Sequence, residues 1–67
     1  MFYLELFGLG GDRNPYGEEG ISTPFSSVAD AIAEGKQLAA HKTFDFGKAA
    51  GYRIYGESDN LVDTGLY

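Results

Sequence analysis

Residues 27–41 read SVADAIAEGKQLAAH, and this stretch decides the fold. Placed on a helix turning about 100° per residue, Val28, Ile32, Gly35 and Ala39 fall on one narrow stripe. Ala29, Ala31 and Leu38 flank it, while Asp30, Glu34, Gln37 and His41 gather on the opposite side. The spacing predicts an amphipathic helix with one buried face. Ser27 is a capping residue, and Asp30 three positions on completes a capping-box-like pair that also favours the N-terminal end electrostatically. His41 and Lys42 stand where the C-terminal end welcomes positive charge. Gly35 costs about 1 kcal/mol relative to Ala in a helix interior. Its place on the buried stripe points to a close approach between the helix backbone and a neighbouring layer.

Strand signals flank the helix on both sides. Phe2 to Phe7, FYLELF, is dense in β-formers. Alternation puts Phe2, Leu4 and Leu6 in one row and Tyr3, Glu5 and Phe7 in the other. Gly8 to Gly20, GLGGDRNPYGEEG, shows no periodicity and reads as a long loop or hinge. Ile21 to Phe25, ISTPF, is a candidate short strand, confined to an edge by Pro24. After the helix, KTFDFGKAAG reads as a loop whose Phe44 and Phe46 plug the helix end against the core. Tyr52 to Gly56 and Leu61 to Leu66, joined by the turn-rich GESDN, form a β-hairpin. Tyr52 and Ile54 share one of its faces, Arg53 and Tyr55 the other. The expected fold is therefore α+β, in the order β-(β)-α-β-β: one amphipathic helix on a three- or four-stranded, mostly antiparallel sheet. Residues 1–67 make a single domain, and a hinge at Gly8 to Gly20 would allow the first strand to swap between two chains.

Size and composition bound the function. A chain of 67 residues is short enough that disulfides, a metal or oligomerisation usually supplement its core. With no cysteine and one histidine, disulfides, thiolate metal sites and His-rich zinc sites are excluded. Five Phe, five Tyr and a partner subunit remain. The net charge of −5, with the five bases dispersed, argues against nucleic acid and anionic membranes as partners. Met1 to Leu9 is too short to span a bilayer and lacks the features of a secretory leader. The cytoplasm is the expected location.

No catalytic or cofactor-binding motif emerges. Gly8, Gly10 and Gly11 follow a strand, but Arg13 stands where a dinucleotide fingerprint needs glycine, and Pro15 and Gly17 bar an immediate helix. Asp12, Asn14 and Gly17 match three places of a calcium loop, yet Tyr16 and Thr23 occupy places that need oxygen ligands of another kind. Glu57, Asp59 and Asp63 read as an ordinary acidic hairpin turn. His41 lies on the polar helix face, and Ser22, Ser26, Ser27 and Ser58 lack a nucleophile-elbow context. The expectation is no catalytic residue, no cofactor and no metal.

The remaining feature is the sheet face turned away from the helix. Once the first strand and the C-terminal hairpin join one sheet, Tyr3, Phe7, Arg53 and Tyr55 share that side, with Glu5 placed to pair with Arg53 across strands. A contiguous aromatic face marks a protein contact more often than an RNA platform. These four residues are the candidate interface. The expected role is a homodimeric interaction or accessory module that meets a second copy or an unidentified protein partner. The alternative is an enzyme or ligand-binding protein with a site formed between subunits near His41 or Arg53. A nucleic-acid binder is the least favoured reading.

Pro24 to His41, PFSSVADAIAEGKQLAAH, together with YRIY at Tyr52 to Tyr55 and the turn after it, resembles short bacterial proteins from several uncharacterised families. These combine a strand or hairpin, an Ala-rich helix and a C-terminal hairpin. The resemblance covers about half of the chain and implies a helix on a small antiparallel or mixed sheet. It carries no functional residue.

Overall fold

The computed structural model describes all 67 residues. It contains β1 (Phe2–Leu9), β2 (Pro15–Phe25), α1 (Val28–His41), β3 (Gly51–Tyr55) and β4 (Leu61–Leu66). The strands form one open sheet in the order β2-β1-β3-β4, and every neighbouring pair is antiparallel. The fold is α+β, with α1 laid across one face of a four-stranded sheet.

Alternation along the strands builds the two faces. Leu4, Leu6 and Ile54 point under the helix and are almost completely buried, and Ala31, Phe44 and Ala49 close the core with them. Only 11 of the 67 residues are buried, so the core is small even for this length.

The helix begins as its sequence dictates. Ser27 is the N-cap, and its Oγ accepts from the Asp30 N–H at 3.1 Å. At the other end the Lys42 N–H donates to the Leu38 carbonyl at 2.9 Å. The centre of the buried face is Ala31 and Gly35. A Cβ on Gly35 would come 3.3 Å from Leu4 Cδ2 and would collide with the Tyr67 hydroxyl. The glycine leaves room for Tyr67, which slides under the helix and donates to the Ile32 carbonyl at 3.1 Å. Its ring meets that of Tyr52, with centroids 5.1 Å apart. Burial raises the Tyr67 phenol to a pKa of about 12, with the neighbouring Tyr52 adding to the effect.

One expectation is corrected. Gly8 to Gly20 is neither a long loop nor a hinge: β1 runs on to Leu9 and β2 begins at Pro15, so only Gly10–Asn14 turns. The turn is tied by Gly10 N–H to Asn14 O and Arg13 N–H to Gly10 O, both 2.9 Å. Asp12 staples it, accepting from the Asn14 N–H at 3.1 Å and the Asn14 side-chain amide at 2.8 Å. Those bonds lower the Asp12 pKa. Arg13 takes the left-handed conformation, with φ of 66°. Ile21 to Phe25 belongs to this same edge strand. The register with β1 shifts between Phe2/Leu4 and again between Phe7/Gly8. The first irregularity spans Pro24, which has no N–H to donate, and Gly17 near the second has φ of 77°.

The segment after α1 closes the end of the core. Phe44 is buried and stacks on Phe46, with centroids 5.4 Å apart and planes within 5°. Phe46 reaches past the helix end to lie over Gly8 and Gly17, where a side chain on either glycine would strike its ring. The two phenylalanines therefore lock the first hairpin to the helix.

Candidate functional site

The sheet face opposite α1 carries no covering layer. At its centre the β1–β3 register sets Glu5 opposite Arg53, Tyr3 opposite Tyr55 and Phe7 opposite Gly51. Arg53 Nη1 donates to Glu5 Oε1 at 2.8 Å, and Glu18 Oε2 on β2 lies 3.8 Å from the same nitrogen. The Tyr55 hydroxyl donates to the same Glu5 oxygen at 3.4 Å. Partial burial, reinforced by the Glu5 charge, raises the Tyr55 pKa.

Arg53 also covers Phe7, its guanidinium carbon 4.6 Å from the ring centroid. Phe7 has this position because β3 offers a glycine across from it. A Cβ on Gly51 would strike the Phe7 ring, lie 2.6 Å from the Gly65 carbonyl oxygen and 2.9 Å from Leu66 Cδ2. The four candidate interface residues do share one face, but in two layers. Phe7 is 5% exposed beneath Arg53, whereas Tyr3 is 40% exposed, and Tyr55 and Arg53 are half-buried. Phe7 therefore supports the face from below and offers a partner no surface.

On β4, Thr64 and Leu66 extend the same face, placed by pairing with Arg53 and Gly51. The alternate residues point under the sheet. Asp63 accepts from the Tyr52 hydroxyl at 3.2 Å; burial raises the Tyr52 pKa, and this hydrogen bond and the Asp63 charge add to the effect. Leu66 and the exposed strand around it were not singled out from sequence, although LVDTGL carries apolar residues at both ends. Tyr67 was missed as well. Its signal is alternation, since Asp63, Gly65 and Tyr67 continue the helix-facing row of β4.

A hollow of about 210 Å³ beside Arg53 is lined by Pro15, Gly17, Glu18 and Arg53, and the guanidinium there already serves two carboxylates. A second hollow of about 360 Å³ has Tyr16 and Phe46 as walls with Glu18 and Asp45 at its margin. It lies open to water, where charges are strongly screened. His41 is exposed at the helix end, away from both hollows. Three of the acids in and beside the two hairpin turns have partners within the chain: Asp12 staples its turn, Glu57 Oε1 accepts from the N-terminal amine at 3.1 Å, and Asp63 holds Tyr52. No helix is long and apolar enough to cross a membrane. No family model, curated protein or solved structure matches this chain.

Proposed function

We propose that this chain is a small homo-oligomeric interaction module in the cytoplasm, whose outer sheet face is covered by protein, in the first place by a second copy of itself. The observation that carries the reading is the one-sided architecture. The helix shields one face of the sheet, while the other presents Tyr3, Tyr55, Thr64 and Leu66 around the Arg53–Glu5 pair with nothing above them. Three of these side chains carry large apolar surfaces, and surfaces of that kind rimmed by polar groups favour protein contacts. Arg and Tyr are also the residue types that most often anchor such contacts. The small core supports the same reading, because a chain with 11 buried residues gains from further apolar burial between subunits. The cytoplasmic location rests on the absence of cysteine. The test is light scattering on the intact chain beside the double substitution Tyr3→Ser, Tyr55→Ser. A two-chain particle that weakens on substitution supports the reading. A single-chain particle at about 100 μM, far above a typical interface Kd, refutes it.

A further inference from the structure

The two edges of the sheet differ in kind. β2, at one edge, carries Pro15, Pro24, Glu18 and Glu19 and two irregularities of register. These are devices that keep an edge strand from pairing with another chain. β4, at the other edge, has neither proline nor lysine, its single register shift is confined to its start between Leu61 and Asp63, and its one acid, Asp63, is held by Tyr52 on the helix side of the sheet. Exposed apolar side chains concentrate here: Leu61 at 54%, Val62 at 42%, Leu66 at 57% and Tyr67 at 39%.

The backbone of β4 is poised for pairing. The Tyr67 N–H donates to the Ala50 carbonyl, so beyond the register shift at the start of the strand Asp63, Gly65 and Tyr67 turn their backbone groups toward β3. By the alternation of an antiparallel ladder, Thr64 and Leu66 turn theirs outward to the open edge.

We propose that β4 pairs antiparallel with β4 of a second copy, about a two-fold axis at Thr64, joining two sheets into one. This rests on the self-association part of the interaction-module reading and seats the second copy at the open edge instead of over the outer face, which is left to another protein. The occupant is argued from the strand's own complementarity. A two-fold axis perpendicular to the sheet brings residues of like face together, and with Thr64 on the axis it sets Val62 against Leu66 on the partner and Leu66 against the partner's Val62. Two apolar pairs and a β-branched pair result, each of a kind that favours sheets. Asp63 falls opposite Gly65 in this register. The register centred one residue earlier would bring the two Asp63 carboxylates together, which is destabilising. Pairing β4 with the β2 edge of another copy would meet two prolines and would not close. Both sheets keep the same side uncovered, so the Tyr3–Tyr55 faces of the two copies lie side by side.

Amide hydrogen exchange on the intact chain, read residue by residue by NMR at several concentrations, tests this. The expected result is protection of the Thr64 and Leu66 amides that rises at least tenfold with concentration, together with a disulfide-linked dimer from Thr64→Cys under mild oxidation. A two-chain particle whose Thr64 and Leu66 amides stay unprotected, and which dissociates on Tyr3→Ser, Tyr55→Ser, overturns the edge pairing and leaves the interaction reading standing. A single chain at every concentration overturns both. The amide readout needs no substitution, so it holds even where a variant folds poorly.

Discussion

Substituting Gly51 tests the stacked construction of the outer face. In most strands Gly→Ala is stabilising by about 0.5–1 kcal/mol, because alanine loses less backbone freedom on folding. Gly51 does not have a positive φ, so no backbone strain opposes alanine there. Space does. The new methyl would meet the Phe7 ring and Leu66 Cδ2, which can shift, and the Gly65 carbonyl oxygen at 2.6 Å, which belongs to the β4 backbone and cannot move without disturbing the β3–β4 ladder. Overpacking of this kind costs about 1–3 kcal/mol, and a backbone obstacle places the cost at the upper end. After the propensity gain, Gly51→Ala should destabilise the chain by about 2 kcal/mol, out of about 3–10 kcal/mol for a domain of this size. The melting temperature should fall by about 10 °C. Gly20 supplies the contrast. It sits on the exposed β2 edge opposite Glu5, and a Cβ there has nothing within 4 Å. Gly20→Ala should therefore be neutral or raise stability by up to about 1 kcal/mol. Urea denaturation of both variants beside the parent gives the two signs. If Gly51→Ala is as stable as the parent, Phe7 does not fill the space above Gly51, and the two-layer description of the face is wrong.

Two further outcomes follow from the same geometry. Arg53→Ala removes a partly buried ion pair to Glu5 and uncovers the Phe7 ring; exposed pairs contribute up to about 1 kcal/mol and cation–π contacts about 0.5–1 kcal/mol. The variant should lose about 1–2 kcal/mol in chemical denaturation, with Arg53→Lys recovering only part, and an unchanged midpoint would contradict the contact. Tyr52, Tyr55 and Tyr67 have phenols raised above their ordinary value. The native state therefore favours the neutral form: this stability is fully present below the unfolded phenol value near 10 and is lost as pH climbs through the native values, about 12 for Tyr67. Denaturation midpoints should fall across that window, and less so in Tyr67→Phe; a midpoint flat through it would refute the burial of these hydroxyls.

What the sequence made legible follows the strength of its periodic signals. The helix, its Ser27 cap and the C-terminal hairpin stand where alternation, spacing and turn residues put them. The Glu5–Arg53 pairing followed from alternation alone once β1 and β3 were neighbours. Ile21 to Phe25 was legible as an edge strand, but the first part of β2 was not, for a physical reason: Pro15 to Gly20 is exposed at every position, so no buried face imprints a period on it. The glycines from Gly8 to Gly20 looked like a hinge, yet Gly8 on β1 and Gly17 on β2 leave room for Phe46. A residue chosen for the space it leaves cannot be told in sequence from one chosen for flexibility. The candidate face was legible in membership but not in depth. Nothing in FYLELF distinguishes Tyr3, which is exposed, from Phe7, which Arg53 covers; that difference depends on the glycine opposite, about forty residues away in a strand whose register is set by the fold.

The central claim is that a second copy of the chain completes this sheet, along its open edge or over its uncovered side. Sedimentation equilibrium over a concentration series measures this most directly. The account predicts a mass rising from one chain of 7.2 kDa to a plateau at twice that value, with no larger species because a two-fold pairing closes. A mass that stays at one chain throughout, or one that climbs past two without a plateau, would contradict it.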